Sequence, residues 1–415
     1  MSDTVERALH SILAPSKGHM WAHCVGALRM CKGIPNKPTK DAASGTCTHW
    51  ISEQELKGIA PLQSQLGKEL QFDGFKFTVD QDRIDRARKY VDVIQREPGS
   101  KYYEHLVDTS PVLGVEGQEG HSDCISMDPD MVVTRPDGNQ YKGILSSHDL
   151  KDGAGLVYAK DNMQGLVYVA AAAFEFDIVY PWEGFRFCVH QPRMHHYDEW
   201  FYTREEIAAF VATIRPVAQL AFDIYHDVVP LDEDAHLNPG YDTCRWCDVR
   251  GSCRKRAAAQ VARFAAVDPT QRLKLTDEEV TTYYATLNEM EDWAKALRAE
   301  AFRRAAQRRG SIPGYKIVRG KAGSREWTDE KKAQSAILFA LPPDAPDEMV
   351  FKPRELQSPT QIQKVLKKNY DLVKDLVYQP PGQLSIAPLH DRREEVILER
   401  AEFSVIDTSD FDSLI

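Results

Sequence analysis

The sequence predicts a mixed α/β protein with two domains. Helix-like and strand-like patterns alternate along the chain, a strong turn signal separates two strand candidates, and 415 residues exceed what one hydrophobic core usually organises. Hydrophobic residues make up 42% of the chain and charged residues 27%, which is typical of a soluble globular protein. The sequence has no run of about 18 apolar residues and no signal-peptide pattern at its start. We therefore expect no membrane span and a cytoplasmic location, in a cell or in an infected host.

The first domain is predicted to cover residues 1–265 and to begin with helices. One helix is expected over Asp41–Lys57, and a charged amphipathic helix over residues 80–97 ends at Pro98-Gly99. Short strands follow, two of them separated by the turn sequence at residues 135–138. The strand candidates are Tyr102–Val107, Cys124–Met127, Met131–Thr134 and Tyr141–Leu150. The remaining elements are an alanine-rich buried helix over Asp161–Phe176, a strand over Ile178–Val189 and a long helix over Glu205–Tyr225.

A smaller α/β domain is predicted over residues 270–395. A capping box at Thr276–Glu279 begins a long helix, because apolar residues recur there at helical spacing for about eight turns. Short strands and helices alternate after it. Residues 396–415 are acidic with a few apolar residues, which predicts a flexible tail. Such a tail resembles the tips by which single-strand-binding proteins recruit replication and recombination partners, although a solvated disordered end is the simpler interpretation.

A carboxylate–lysine pattern, Asp149-Leu150-Lys151, ends one strand candidate. Residues two apart in a strand point to the same face, so Asp149 and Lys151 are expected to share one site. Asp123 precedes another strand candidate that could pair beside it. Two nearby aspartates repel each other unless a divalent cation such as Mg²⁺ or Mn²⁺ lies between them. A neighbouring lysine could then orient a water molecule and stabilise a phosphate transition state.

Helical spacing adds further candidates to this site. Gln164 and Tyr168 are four residues apart on one helix face and could position Lys151 or a nucleic-acid backbone. His49 and Glu53 have the same spacing upstream, and one of them could add a metal ligand. Each pattern alone is common by chance, so the hypothesis depends on their order along the chain.

Three cysteines form a dense group, Cys244-x2-Cys247-x5-Cys253, with Cys24 as the candidate fourth thiolate. Four thiolates can hold one zinc ion or a 4Fe–4S cluster, and the spacing does not decide between them. Either centre would connect the N-terminus to the end of the first domain in a structural role.

These residues resemble the RecB-like branch of the PD-(D/E)XK nucleases that carry an iron–sulfur cluster, above all a phage- and prophage-encoded group. CRISPR-associated iron–sulfur exonucleases and AddB-type nuclease domains are more distant relatives. The matching features run to about residue 395. They are Pro15-Ser16…Trp21…Cys24, Gly45-Thr46…His49, Glu104, Gly120…Asp123, Asp149-Leu150-Lys151, Asn162-Met163-Gln164…Tyr168, the late cysteines and Ile312-Pro313-Gly314-Tyr315-Lys316.

The resemblance implies a restriction-endonuclease-like core, with a mixed sheet between helices, and a 4Fe–4S cluster rather than zinc. It implies that Asp123 and Asp149, helped by His49, hold Mg²⁺ or Mn²⁺, and that Lys151 is catalytic. Gln164 and Tyr168 would support the lysine or the DNA strand, and Glu104 would orient the site. The activity that the resemblance implies is that of a DNase, expected to be an exonuclease on DNA ends or single strands, in phage DNA replication, recombination or repair.

Two other functions stay open. The net charge of −10 is unusual for a nucleic-acid binder and favours a nuclease fold that binds DNA or replisome proteins without cleaving. A zinc-stapled structural protein is the third hypothesis. The sequence does not decide between a monomer and a homo-oligomer.

Overall fold

The computed structural model describes residues 11–35, 38–153, 155–265, 276–342, 345–352, 355–382, 384–388 and 394–397. The chain divides into two compact units, Met1–Tyr284 and Ala285–Ile415. The predicted boundary at residues 265–270 adjoins a segment outside the described residues, and the predicted tail lies outside them from residue 398 onward.

A mixed sheet forms the centre of the first unit. The strands described there are β1 (Glu69–Phe72), β2 (Phe75–Thr78), β3 (Ser100–Asp108), β4 (Glu119–Thr134), β5 (Gln140–Leu150), β6 (Gly184–Gln191) and β7 (His196–Thr203). β1 and β2 form a separate hairpin, and the other five form one sheet in the order β3-β4-β5-β6-β7. β5 and β6 are parallel, and the other neighbouring pairs of this sheet are antiparallel.

Helices cover both faces of this sheet. Those described in the first unit are α1 (Gly18–Trp21), α2 (Ala27–Cys31), α3 (Lys40–Leu56), α4 (Gln81–Arg96), α5 (Ser110–Leu113), α6 (Met163–Phe176), α7 (Arg204–Tyr225), α8 (Glu233–His236), α9 (Tyr241–Arg245) and α10 (Arg254–Ala265). Buried residues of α6 and α7 belong to the main hydrophobic core. On the other face, Tyr90 and Ile94 of α4 pack with Cys124 and Leu150 of the sheet. The sequence prediction of a mixed α/β fold is therefore confirmed.

The helix that follows β5 begins with a side-chain cap. The Asn162 side chain accepts a hydrogen bond from the Gly165 backbone N–H at 3.1 Å, which satisfies one of the free donors of the first turn of α6. A Cβ atom at Gly165 would lie 2.2–2.4 Å from the Phe187 ring, so this position requires glycine for close helix–sheet packing. Asn162 and Gly165 together determine where the first turn of α6 meets the sheet.

Two strand predictions are corrected by the structure. The candidates Cys124–Met127 and Met131–Thr134 are parts of one long strand, β4, whose pairing with β5 shifts register between Asp128 and Val132. A bulge or similar irregularity bends a strand without ending it, so the two candidates continue as one element. The strand predicted from Ile178 begins only at Gly184.

Helix α7 is long and apolar enough, by length and composition, to cross a membrane. Its buried residues pack instead in the main core of the first unit, as the apolar stripe of a core helix does. These residues are Ile207, Val211, Ile214, Ala218 and Ala221. A single helix of this kind is weak evidence for a membrane span, and a cytoplasmic location stays a prediction.

The second unit begins within a long helix, α11 (Asp277–Gln307). The predicted capping box is present, since the Thr276 side chain accepts from the Glu279 N–H and the Glu279 side chain accepts from the Thr276 N–H. The other described elements are β8 (Tyr315–Arg319), β9 (Glu326–Trp327), α12 (Glu330–Ala340), β10 (Phe351–Lys352), β11 (Glu355–Leu356), α13 (Pro359–Leu366), β12 (Val377–Tyr378) and β13 (Leu384–Pro388). Its own core lies between α12 and α13.

A buried histidine pair lies between β5 and β6. His148 Nδ1 is 3.1 Å from His190 Nε2, and His148 Nε2 is 3.0 Å from Ser126 Oγ. Burial lowers the pKa of His190 to about 4 and lowers the pKa of His148 well below its usual value. Both imidazoles are therefore neutral at neutral pH.

We expect this pair to make the fold sensitive to acid. The folded protein binds fewer protons than the unfolded chain between pH 6.5 and about 4, so the free energy of unfolding falls as the pH falls through that range. His190 alone should contribute a loss of about 3 kcal/mol. Urea unfolding at pH 7 and pH 4.5 measures this loss in the wild type and in His190→Gln. His23→Gln, a substitution of an exposed histidine, is the control. An unchanged pH dependence in His190→Gln would contradict this explanation.

Candidate functional site

Three neighbouring strands bring three carboxylates together. Glu104 lies in β3, Asp123 in β4 and Asp149 in β5. In the sheet, Tyr103 pairs with Cys124, and Cys124 pairs with His148. Glu104, Asp123 and Asp149 are the direct chain neighbours of these three residues. The carboxylates therefore come from adjacent positions on adjacent strands.

Glu104 has an unusual backbone conformation for a strand residue. Its φ angle is +47°, in the left-handed region, and the β3–β4 ladder is interrupted there. A non-glycine residue in this region typically costs about 1–3 kcal/mol, and such residues are concentrated at functional sites. The strain and the neighbouring carboxylates together mark Glu104 as a candidate functional residue.

His49 extends from α3 to this carboxylate group. Its Nδ1 atom lies 3.4 Å from Asp123 Oδ2. One ligand atom each from His49, Glu104 and Asp123 lies within 4.8 Å of the others, and all three residues are partly buried. A nitrogen and two carboxylate oxygens so close together form a possible metal-binding triad.

Burial and the charges of neighbouring groups shift the pKa values of His49, Glu104 and Asp123. Burial lowers the pKa of His49, but the charge of Asp123, a hydrogen bond with it and the charge of Glu104 raise it to about 9. Burial and the charge of Asp123 raise the pKa of Glu104 to about 8. For Asp123, burial raises the pKa, but the charge of His49 and its hydrogen bond outweigh burial and hold it below its usual value. In the metal-free protein, protons on His49 and Glu104 reduce the charge repulsion.

Lys151 follows β5 and forms a compact polar cluster with Asp149 and Gln164. Lys151 Nζ lies 3.0 Å from Asp149 Oδ1 and donates to Gln164 Oε1 at 3.0 Å. The Gln164 amide in turn donates to Asp149 Oδ1 at 3.1 Å. Burial lowers the pKa of Lys151, but the charges of Asp149 and Asp123 raise it above its usual value, so the lysine is charged.

Asp149 retains one carboxylate oxygen without a hydrogen bond. Its Oδ2 atom is buried and lies 2.9 Å from Lys151 Nζ, but the angles do not form a hydrogen bond. Asp149 is only 4% exposed, and a buried charged oxygen without a hydrogen bond is costly unless a cation or water satisfies it. The Lys151 ammonium group supplies that cation for Asp149, which lies outside the group of His49, Glu104 and Asp123.

Asp123 is tied to the strand that carries Asp149. Its Oδ2 atom accepts the backbone N–H of Leu150 at 2.7 Å. The hydrogen bond holds Asp123 against the Asp149-Leu150-Lys151 segment despite the long hairpin between β4 and β5. The structure thus brings Asp123, Asp149 and Lys151 into one site.

Tyr168 lies one turn after Gln164 on α6 and packs against β4. A Cβ atom at Gly120 would lie 2.8 Å from the Tyr168 ring, so glycine makes room for this tyrosine. Burial raises the pKa of Tyr168, as do the charges of Asp123 and Asp149, so its hydroxyl is protonated. The tyrosine lies near the carboxylates, where its hydroxyl can support the site.

A second buried carboxylate, Asp152, connects the helices to the strand end. Its side chain is 0% exposed and accepts from Arg86 Nε at 2.8 Å and from Thr48 Oγ1 at 2.7 Å. Arg83 Nη1 donates to the same threonine at 2.8 Å. Thr48 precedes His49, and Asp152 follows Lys151. The network therefore fixes the triad histidine relative to the lysine.

The four predicted thiols line a single cavity. Cys24 precedes α2, and Cys244, Cys247 and Cys253 lie in or after α9. Burial raises the pKa of Cys24, whose sulfur lies 3.4 Å from the donating backbone N–H of Asn238. Among the described residues, no three of the cysteine sulfurs lie within 4.8 Å of one another.

A protein-family model described as "Protein of unknown function (DUF2800)" matches residues 10–394. The chain belongs to the DUF2800 family. The match extends over most of both compact units and includes every candidate site residue of this DUF2800 protein.

Sequence reasoning missed two parts of the site in this DUF2800 protein. It did not single out Asp152, although the residue directly follows Lys151, because an aspartate in a loop is usually solvated. Glu104 was expected to orient the site, and the structure adds it to a possible metal-binding triad with His49 and Asp123. The positive φ of Glu104 has no signal in the sequence.

We expect Mn²⁺ binding to this DUF2800 protein to strengthen as the pH rises. Metal ligands must lose their protons, and the pKa values are about 9 for His49 and about 8 for Glu104. Affinity should therefore increase from pH 6.5 toward pH 9, with proton release. Glu104→Gln should weaken binding at least about 10-fold and make its pH dependence shallower. Calorimetry in two buffers measures both effects, and a pH-independent affinity would count against the triad.

Proposed function

We propose that this protein is a metal-dependent DNA nuclease with a PD-(D/E)XK-type core. The observation that carries the proposal is that Asp123, Asp149 and Lys151 lie together in one site. Asp123 also belongs to the possible metal-binding triad with His49 and Glu104. Carboxylates that surround a cation site, next to a charged lysine, are suited to phosphodiester hydrolysis. The resemblance described above points to DNA ends or single strands as substrates, in phage DNA replication, recombination or repair.

The donor set fits a hard divalent cation. His49, Glu104 and Asp123 would hold Mg²⁺ or Mn²⁺, and Asp149, on the neighbouring strand, would add a carboxylate oxygen. When bound, the cation would lower the pKa of a water molecule and stabilise negative charge on the scissile phosphate.

Lys151 would act directly on the reacting atoms. Asp149 and Gln164 hold its ammonium group in a defined position, so little rearrangement is needed when DNA binds. A fixed positive charge there can orient the attacking water and stabilise the developing charge on the phosphate. Gln164 contributes by hydrogen bonding both Lys151 and Asp149.

For the thiol site we propose a 4Fe–4S cluster held by Cys24, Cys244, Cys247 and Cys253. Four thiolates around one zinc ion at about 2.3 Å would lie about 3.8 Å from each other. Cys31 and Cys247 have sulfurs 3.8 Å apart, but among the described residues no three cysteine sulfurs lie within 4.8 Å of one another. The wider spacing favours a polynuclear cluster. Iron and sulfide in the purified protein would support it, whereas zinc alone would support the structural zinc site.

The proposed activity is tested with DNA labelled at its 5′ or 3′ end. Single-stranded and double-stranded substrates are incubated with protein and Mn²⁺, Mg²⁺ or EDTA. We expect cleavage with either metal ion and none with EDTA, and the order of labelled products gives the polarity. Absence of metal-dependent cleavage on every substrate would overturn the proposal.

A non-cleaving DNA-binding module is the second candidate. The net charge of −10 favours a replisome protein over DNA as the partner of such a module, because an acidic chain attracts the DNA backbone weakly without bound cations. The same assay separates the two functions. Retention of labelled DNA in a gel, without metal-dependent cleavage, would favour binding alone.

A further inference from the structure

A fifth cysteine, Cys31, lies beside the thiol cavity. It is the last residue of α2, and its sulfur is 3.8 Å from the sulfur of Cys247. The proposed cluster does not use it. Cys31 is partly exposed, whereas Cys247 is 8% exposed, so the pair extends from the cavity toward solvent.

The surroundings keep this pair in place. Cys31 packs at the margin of the main core, and backbone amides of Asp248 and Val249, directly after Cys247, face its sulfur. The two cysteines are 216 residues apart in sequence, so their contact is a product of the fold.

We propose that Cys31 and Cys247 form a reversible disulfide when the protein meets a peroxide. Two thiols and one hydrogen peroxide give one S–S bond and two water molecules. The O–O bond breaks, the sulfurs lose two electrons, and the thiol protons leave in the water. A dithiol reductant reverses the step by thiol–disulfide exchange.

The disulfide would regulate the thiol site, and this consequence rests on the proposed metal centre. Oxidation occupies Cys247, so the site loses one of its four ligands and cannot hold a cluster until it is reduced. The cross-link also joins the α2 region to the segment after α9, which is the connection that the metal centre provides. Pairing with Cys31 would further protect Cys247 from irreversible oxidation to sulfinic acid.

The disulfide is tested by mapping thiols in the full-length protein. Wild type, Cys31→Ser and Cys188→Ala are treated with hydrogen peroxide, alkylated, digested and analysed by mass spectrometry. Cys188 is also buried but lies in β6 near Glu199, so its loss should leave the reaction unchanged. We expect a Cys31–Cys247 cross-linked peptide in wild type and Cys188→Ala, its absence from Cys31→Ser, and its loss after dithiothreitol.

Metal reconstitution is the second measurement. Peroxide-treated wild type should take up iron and sulfide only after dithiothreitol, whereas Cys31→Ser should recover less, because its Cys247 oxidises irreversibly. Free, alkylated Cys31 in peroxide-treated wild type, or its linkage to another cysteine, would overturn the proposal. If untreated protein binds neither iron nor zinc, the proposed metal centre is contradicted. The peptide map still decides whether the Cys31–Cys247 disulfide forms.

Discussion

Replacing Lys151 with alanine is expected to abolish metal-dependent DNA degradation without unfolding the protein. Loss of one fixed charge that stabilises a transition state typically costs about 10²–10³-fold in rate. The substitution also removes the Lys151 ammonium group, which lies 2.9 Å from Asp149 Oδ2. The Asp149 carboxylate is then less able to stay ionised. Initial rates on end-labelled DNA with Mn²⁺ measure the effect.

A lysine near the start of β5, the strand that Lys151 follows, provides the matched control. Lys142 lies in β5, is 56% exposed, and pairs with the exposed Asp130. Lys142→Ala should cleave at nearly the wild-type rate. Circular dichroism should confirm that both variants are folded, and DNA binding by Lys151→Ala should persist. Wild-type cleavage by folded Lys151→Ala would remove the basis of the proposed mechanism.

Replacing Asp152 with alanine is expected to destabilise the first unit and weaken the metal site together. The carboxylate is fully buried and contacts Arg86 and Thr48. Breaking a buried ion pair typically costs about 3–5 kcal/mol when the other charge is left uncompensated. Arg86 keeps its exposed partner Asp82, so we expect a loss of stability below that range. Because Thr48 and Asp152 adjoin His49 and Lys151, we also expect weaker Mn²⁺ binding. Urea unfolding and calorimetry measure the two effects.

Asp82 offers a control that pairs with the same arginine. Its side chain also forms an ion pair with Arg86 but is 80% exposed. Exposed ion pairs contribute about 0–1 kcal/mol, so Asp82→Ala should change stability and Mn²⁺ binding little. Asp152→Asn keeps the shape and isolates the role of charge. Equal losses in Asp152→Ala and Asp82→Ala would show that the buried network does not organise the site.

Local patterns predicted much of the fold because they depend on neighbouring residues. Helical spacing and caps predicted α4, α6, α7 and the start of α11 to within a few residues. The strands were harder to predict where tertiary contacts override local preference. β4 continues through a register shift, and β7 follows β6 after a short turn that the sequence did not distinguish.

The sequence by itself determined that Asp149 and Lys151 share one face, because alternate residues in a strand point the same way. It also grouped Gln164 with Tyr168 through the helical repeat, and Cys244 with Cys247 and Cys253 through close spacing. These relations lie within a single element, so the backbone geometry of that element is sufficient to predict them.

Only the tertiary structure decided which elements meet at the site. The β3–β4 register and a positive φ bring Glu104 to Asp123, and a hydrogen bond from Leu150 holds Asp123 beside Asp149. Packing likewise brings Cys31 to Cys247 across 216 residues. Such contacts depend on strand pairing and burial summed over the whole unit, and a local pattern contains no information about either.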